Sequence, residues 1–512
     1  MVTGDPRRFQ SARLALPLLA RRCWSHRGRS ATMRAMTTTV TRTRFAPSPT
    51  GLLHLGNLRT ALFSALLARA RGGHFLLRIE DTDAERSRAE FVEALQQDLH
   101  WLGVDWDEGY GAAAGDAGPY AQSQRTGLYQ AHYDRLIEAG LAYPCFCTPE
   151  ELERGRKRMR AQGKPPRYPG TCAGLDPEEA RRREAEGQRP TLRFRVPLGR
   201  TVRFEDGVRG AVKFRTDEIG DFVIRRSDGT PAFFFSNAVD DALMGVTDVV
   251  RGEDHIANTP RQLLLLEALE LPAPGYHHLP LVNGDDGAPL SKRNGSASIR
   301  ELREAGVLPL AILNHLARLG HRYEEEGLLS LDGLAQGFDP ARIGHSAARH
   351  DPRQLEHWQA EALRALSDTD LQAHLAGLGV LEPLPEAGRA EWIALARDNI
   401  ASVEDARCWV AAFAEDPPPL SEAARGEIEA AGPALFEVAL EALDTSRDFS
   451  EMAKAAGAAT GRKGRGLFMP LRAALSGQTF GPELPRIREY LGPERTRVRL
   501  QAARDVAAAA AD

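Results

Sequence analysis

Two stretches of this 512-residue chain set residue types at spacings that could hold a polyanion or a metal. The first is Thr50-Gly51-Leu52-Leu53-His54-Leu55-Gly56-Asn57. It lies between a short extended run, Arg44 to Ala46, closed by Pro47 and Pro49, and a helical pattern in which Leu58, Leu62, Leu66 and Ala70 recur every four residues. The first amides of a helix opening near Asn57 have no intrahelical partner and sit at the positive end of the helix dipole. Gly51 and Gly56 let a phosphate approach the backbone, and His54 can donate to a phosphate oxygen. For H-x-G alone, an ordinary strand-to-helix turn with a bystander histidine explains the pattern equally well. The second stretch is Cys145-Phe146-Cys147, with Cys172 downstream. Three thiolates could hold zinc, or could form a metal-free knuckle.

The elements that must position these residues are legible. Gly72-Gly73 stops the first helix. Phe75, Leu77 and Ile79 alternate with His74, Leu76 and Arg78, and Leu76 keeps the run apolar on both faces, as in a buried strand. Strand, Gly-rich turn, helix and strand make a βαβ unit, expected right-handed. Residues 84–106 predict a helix with Phe91, Leu95, Leu99 and Leu102 on one face, ended by Gly103. A second helix, Leu128 to Ala139, stops at Gly140. Short β-type runs follow around Phe194, Val202, Phe204, Val212, Phe214, Ile219, Phe222 and Ile224, then a helix from about Pro260 with Leu264, Leu265 and Leu269 inward. Val307 to Leu319 is helical in pattern, and beyond about residue 370 the chain is rich in alanine and leucine at helical spacing.

Composition bounds the class. With 42% hydrophobic and 27% charged residues, the chain has room for three or four ordinary domains. A net charge of -4 does not announce a nucleic-acid binder, although local basic patches suffice for a large RNA. No apolar run reaches the roughly 18 residues of a membrane span. Five cysteines argue against a disulfide framework and for a reducing compartment. Residues 1–38 hold many arginines and one acid, Asp5, the composition of a mitochondrial transit peptide. The alternative is initiation at Met33 or Met36, which the Ala/Arg/Gly/Pro-heavy, bacterial-looking usage favours. Either way the segment is expected to stand outside the fold.

The sequence FAPSPTG-x-LH-x-G-x-x-RTALF followed by LRIEDTD resembles the glutamyl-tRNA synthetases, a bacterial-type family of class I aminoacyl-tRNA synthetases. HLGN stands where that class has its HIGH motif. SKR in GAPLSKRNG stands at its KMSKS loop, with Pro289 in place of the usual first lysine. YAQSQR, FFFSNAVDDALMGVTDVVRGEDH and TGRKGRGLFMPLRAALSG extend the resemblance over nearly all of the chain beyond residue 40.

The resemblance implies a multidomain α/β plus all-α fold. It places a Rossmann catalytic domain at 39–119 and 233–275, split by an inserted acceptor-binding domain at 120–232. A stem-contact domain at 276–370 would carry the KMSKS-type loop, and a helical anticodon-binding domain would follow at 371–512. It implies attachment of L-glutamate to tRNA(Glu), and in some relatives tRNA(Gln), with ATP and Mg²⁺, by a cytoplasmic monomer. ATP would be met by His54, Gly56, Asn57, Ser291, Lys292 and Arg293. His54 and Lys292 would be the catalytic pair, stabilising charge on the departing pyrophosphate.

A glutamate substrate needs a buried cation for its side-chain carboxylate, for which Arg44 is the candidate, and an acceptor for its ammonium, for which Glu80 is. Ala46, Ser48, Phe233, Asn237 and Arg251 complete the implied pocket. Relatives carry Tyr at Phe233, so one hydroxyl contact is missing. Taken alone, Arg251 reads as a salt bridge to Glu253 or Asp254. Some relatives hold zinc at C-x-C … Y-x-x-x-C, which maps onto Cys145, Cys147, Tyr168 and Cys172. Arg193, Arg195, Arg200, Arg203, Arg209, Arg215, Arg225 and Arg226 could meet tRNA phosphates, or form a solvated face. Arg462, Lys463, Arg465 and Arg472 are a candidate RNA-facing set. The rival from another class is a non-catalytic tRNA-binding regulator derived from a synthetase, which Pro289 and Phe233 favour and His54, Glu80 and Lys292 disfavour.

Overall fold

The computed structural model describes residues 40–83, 86–112, 115–163, 166–284, 286–288, 290 and 297–510. The N-terminal segment 1–38 and the predicted ATP-loop residues Pro289, Ser291, Lys292 and Arg293 lie outside the described residues. The chain forms two compact units. One holds residues 40–49, Arg71–Ser87 and Trp106–Leu279; the other holds Thr50–Ala70, Arg88–Asp105 and the chain from Pro280.

In the first unit, β1 (Arg42–Phe45), β2 (His74–Leu77) and β3 (Glu108–Gly109) form a parallel sheet in that order, with Thr43 opposite Phe75 and Phe45 opposite Leu77. Three of the four β2 residues are buried, as the two-faced apolar run predicts. Gly73 is required here: a Cβ on it would stand 2.0 Å from the Thr41 carbonyl oxygen, which accepts the His74 amide at 2.8 Å. Two further sheets follow. β4 (Ala142–Cys145), β5 (Thr191–Phe194) and, after the hairpin β6 (Thr201–Asp206)–β7 (Gly210–Arg215), β8 (Phe222–Arg225) supply the strands; β4, β5 and β8 pair antiparallel. The hairpin pairs instead with β9 (Asp248–Gly252) and β10 (Gly275–Leu279), in the order β7-β6-β10-β9.

The buried helix Phe233–Leu243 and the helix Thr259–Ala268 pack on each other, and Phe235, Val239, Leu264 and Leu265 join one core with Tyr129, Tyr133 and Phe194. The sequence expectation of Leu264, Leu265 and Leu269 facing inward holds, all at 1% exposure or less.

In the second unit the helix Leu55–Ala70 contacts the helices Pro309–Ala317 and Leu331–Gln336, with Phe63 edge-on to Phe338. β11 (Val282–Asn283) pairs in parallel with β12 (Ala348–Arg349). From Asp368 to Ala509 the described elements are helices around a core that includes Trp392, Trp409, Phe413, Phe436 and Leu471.

Five details differ from expectation. The first helix opens at Leu55 rather than near Asn57, because Leu55 is itself buried and extends the apolar stripe by a turn. The helix expected over 84–106 is Ala89–Trp101, and that expected from Leu128 starts at Thr126. Ile219 ends a single helical turn, Thr216–Ile219, rather than a strand. Ile79 lies beyond β2 and bridges to Ala121.

Candidate active site and its relatives

Four of the predicted glutamate-pocket residues, Arg44, Glu80, Asn237 and Arg251, are linked in the first unit through partners that sequence reasoning missed. Arg44, at the core of β1, donates from Nε to Asp241 Oδ1 (3.1 Å) and from Nη1 to the Val250 carbonyl (3.4 Å). Arg78, fully buried just past β2, donates to the same Asp241 oxygen (2.7 Å) and to Glu80 Oε1 (3.1 Å). Asn237 Nδ2 donates to Glu80 Oε1 (2.7 Å), and its own Oδ1 accepts from Gln262 (2.8 Å). Gln262 Oε1 accepts from Arg251 Nη2 (2.7 Å), which also donates to Thr259 (2.8 Å), while Arg251 Nε reaches His278 Nε2 (3.1 Å). His278 in turn is held by Asp206 at 2.5 Å. One hydrogen-bonded chain thus runs from Asp241 to Asp206.

Arg251 is the unusual member. It is 5% exposed, and among the described residues all its hydrogen-bond partners are neutral and Nη1 has none. The alternative for Arg251 taken alone, a salt bridge to Glu253 or Asp254, does not form: Glu253 pairs with Arg209, and Asp254 lies beside His255. Burial, with Arg44 nearby, lowers the Arg251 guanidinium to about 10, which leaves it charged at neutral pH. Burial pushes the Glu80 carboxyl up against the opposing pull of Arg78 and Asn237. For Asp241 the same burial is outweighed by Arg44 and Arg78, so it stays below the usual carboxylate range. A buried cation with a free donor is a place for an anion.

Phe233 opens the helix that carries Asn237 one turn later, and its ring lies 5.3 Å from that of His255. Ala46 is half-buried, whereas Ser48 is exposed and stands outside the buried chain of bonds. Arg78, Asp241 and Gln262 could have been suspected as charged or amide residues inside otherwise apolar runs. Asp240, beside Asp241, accepts from Arg125 (2.6 Å), Gln122 (2.8 Å) and Tyr129 (2.8 Å), so the YAQSQR motif clamps this helix.

In the second unit, His54 immediately precedes the helix Leu55–Ala70, and Gly56 and Asn57 fall in its first turn. A Cβ on Gly56 would stand 3.3 Å from the His54 ring. His54 bridges antiparallel to Ser298, and Leu53 accepts the Ile299 amide at 2.9 Å.

Cys145, Cys147 and Cys172 bring their sulfurs within 4.8 Å of one another, with Cys147 and Cys172 3.6 Å apart. Tyr168 Oη lies 3.3 Å from Cys145 and 3.6 Å from Cys147, and accepts the Cys172 amide at 2.8 Å. Four ligands about 2.3 Å from one tetrahedral zinc stand about 3.8 Å apart, close to the 3.6 Å between Cys147 and Cys172 and to the Tyr168 distances; the three sulfurs, within 4.8 Å of one another, would draw together slightly around the ion. Burial raises the Cys145 thiol, but Tyr168 and the Arg193 guanidinium outweigh it and bring it down to about 7. Burial and the two neighbouring thiols push Cys147 up to about 11.

Arg193 is itself buried, 3.8 Å over the Tyr168 ring, and Arg195 stacks on Tyr143. Arg200, Arg209 and Arg215 pair with Glu267, Glu253 and Asp217. Arg193 is therefore turned inward, whereas Arg203, Arg215 and Arg226 stay exposed and Arg200 and Arg215 sit in surface ion pairs. Similarly, Arg462 and Arg472 hold the Ala431 and Pro482 carbonyls, which leaves Lys463 and Arg465 exposed.

The fold and these residues define a class I aminoacyl-tRNA synthetase. The family profile described as tRNA synthetases class I (E and Q), catalytic domain, matches residues 40–357, and an anticodon binding domain profile matches residues 352–504. The chain is 56% identical over 477 residues to glutamate–tRNA ligase 2 of Alkalilimnicola ehrlichii, covering 92% of this chain and 99% of that one. It is 55% identical to glutamate–tRNA ligase 2 of Nitrosococcus oceani, over 91% and 98%. The crystal structure of a glutamate tRNA ligase from Elizabethkingia meningosepticum in complex with its amino acid superposes with a TM-score of 0.82 at 30% identity, covering 91% of this chain and 99% of that one. The chain belongs to the glutamate–tRNA ligase family. Among the described residues no helix is long and apolar enough to cross a membrane.

Proposed function

We propose that the protein activates L-glutamate with ATP and Mg²⁺ to glutamyl-adenylate and transfers the glutamyl group to the 3′ end of tRNA(Glu). The observation that carries the substrate is Arg251, a buried cation that among the described residues has an unpaired nitrogen and no carboxylate partner. In this reading Arg251 and Arg44 take the side-chain carboxylate, and Glu80, held by Arg78 and Asn237, accepts from the ammonium. Ala46, Ser48 and Phe233 line the remainder.

His54, with the Gly56 and Asn57 amides, donates to ATP phosphates at the helix opening. Ser291, Lys292 and Arg293 meet the same nucleotide, and Lys292 neutralises charge on the leaving pyrophosphate. The glutamate carboxylate attacks the α-phosphate, pyrophosphate departs, and the terminal ribose hydroxyl of tRNA then attacks the adenylate carbonyl and expels AMP. No enzyme nucleophile is needed, and binding of tRNA precedes activation. The ligase identity of relatives matched over nearly the whole chain disfavours the regulator reading.

The domain division given above, with 39–119 and 233–275 as the catalytic halves, belongs to the same proposal. So do a cytoplasmic monomer and a structural zinc at Cys145, Cys147, Tyr168 and Cys172. The test is glutamate charging of purified tRNA(Glu) and tRNA(Gln) transcripts. Charging of tRNA(Glu) is expected; charging of tRNA(Gln) as well would extend the acceptor range, and charging of neither, with tRNA still bound, would restore the regulator. Lys292→Ala should abolish adenylate formation while tRNA binding persists.

A further inference from the structure

The residues that hold His54 in place are not next to it in sequence. Ser298 is 2% exposed and opens the helix Ile299–Glu304 in an extended conformation, φ -69 and ψ 157. Its backbone lies opposite His54 in an antiparallel bridge, and the next amide, Ile299, donates to the Leu53 carbonyl at 2.9 Å. That extended conformation is locked by a reciprocal cap. Glu301 N donates to Ser298 Oγ (3.2 Å), while the Ser298 amide and hydroxyl both donate to Glu301 Oε2 (2.6 and 2.8 Å). The absence of a side chain on Gly56 also leaves the imidazole its place, since a Cβ would press on the ring at 3.3 Å.

We infer that Ser298 and Glu301 are positioning residues for His54: their cap fixes the backbone strip against which His54 is registered, and so fixes where its imidazole meets the nucleotide. A helix cap that served only helix stability would need no such pairing. Here the capped residue is the one that faces the histidine. Loss of either cap partner frees Ser298 to follow the helix, and the bridge to His54 loosens with it. The inference rests on the proposed role of His54 toward ATP.

The experiment is ATP–pyrophosphate exchange with saturating tRNA, on the full chain, for Ser298→Ala, Glu301→Ala, His54→Ala and the double variant His54→Ala/Ser298→Ala. Ser298→Ala and Glu301→Ala should each lower kcat/KM for ATP about tenfold with KM for glutamate unchanged. Ser298→Thr and Glu301→Gln, which preserve the cap, should restore the parent values. The double variant should be no slower than His54→Ala alone, because the serine acts through the histidine. Parent kinetics in both folded alanine variants would overturn the inference, as would independent, multiplicative losses in the double variant. An unaffected His54→Ala would instead overturn the ATP role of the histidine. Should Ser298→Ala not fold, Glu301→Ala, at an exposed position, carries the same test.

Discussion

Asn237 donates a 2.7 Å hydrogen bond to Glu80, 157 positions earlier in the chain, and both side chains are buried. The bond ties the helix that opens at Phe233 to the segment leaving β2. Asn237→Ala should therefore act twice. It removes one of the two donors on Glu80 Oε1, leaving Arg78, and strands the Gln262 amide, an expected loss of about 1–3 kcal/mol in stability. It should also raise KM for glutamate. Chemical denaturation and exchange kinetics together check this, and a variant with parent stability and parent KM would contradict the network.

Arg251 offers its unpaired nitrogen to an anion. Arg251→Ala should raise KM for glutamate by roughly 10- to 150-fold, the equivalent of about 1.5–3 kcal/mol for a charge-assisted bond. Arg251→Lys should recover little of this, since an ammonium cannot keep Thr259, Gln262 and His278 while reaching the ligand. KM for ATP should hold steady in both.

Phe233 has no hydroxyl to offer the pocket. Phe233→Tyr should lower KM for glutamate two- to tenfold, or about 0.5–1.5 kcal/mol. A rise in KM would mean that the Phe233–His255 ring contact matters more than the added hydroxyl.

The three-cysteine cluster should carry one zinc per chain, measured by elemental analysis of the purified protein. Cys172→Ser should remove it and lower the melting temperature. Full-length protein with no metal and three freely titrating thiols would identify a metal-free knuckle.

Asp98 is buried in the helix Ala89–Trp101, with one carboxylate oxygen lacking a partner among the described residues. Burial raises its carboxyl to about 6, against a smaller pull from Arg300 and Arg303. A folded value above the ordinary unfolded value of about 3.9 means that the folded state binds this proton more tightly. Its ionisation penalty is absent below about pH 4, grows between pH 4 and 6, and is complete above. Asp98→Asn should thus raise the melting temperature at pH 8 and leave it nearly unchanged at pH 4; equal shifts at both would show that titration of Asp98 is not the cause.

The sequence alone was enough for whatever depends on local chain order. The run from Arg44 to Ile79 declares strand, turn, helix and strand through its prolines, glycines and leucine spacing, and HLGN, LRIEDTD and VRGEDH carry the family resemblance. The stop at Gly72-Gly73 and the inward face of Leu264, Leu265 and Leu269 follow from backbone freedom and hydrophobic period. Tertiary structure decided the partners. Arg251 read as bonded to its neighbours Glu253 and Asp254, but β9 turns it inward to Gln262 and His278. The arginines from Arg193 to Arg215 read either as phosphate contacts or as a solvated face; Arg193 and Arg195 instead stack on Tyr168 and Tyr143, and Arg200, Arg209 and Arg215 pair with nearby carboxylates. Arg78, Asp241 and Gln262 carried no spacing signal, because a buried charge is tolerated only where distant segments supply its counter-charges and hydrogen bonds. Such pairings depend on which strands and helices come together, and no periodicity along the chain records that.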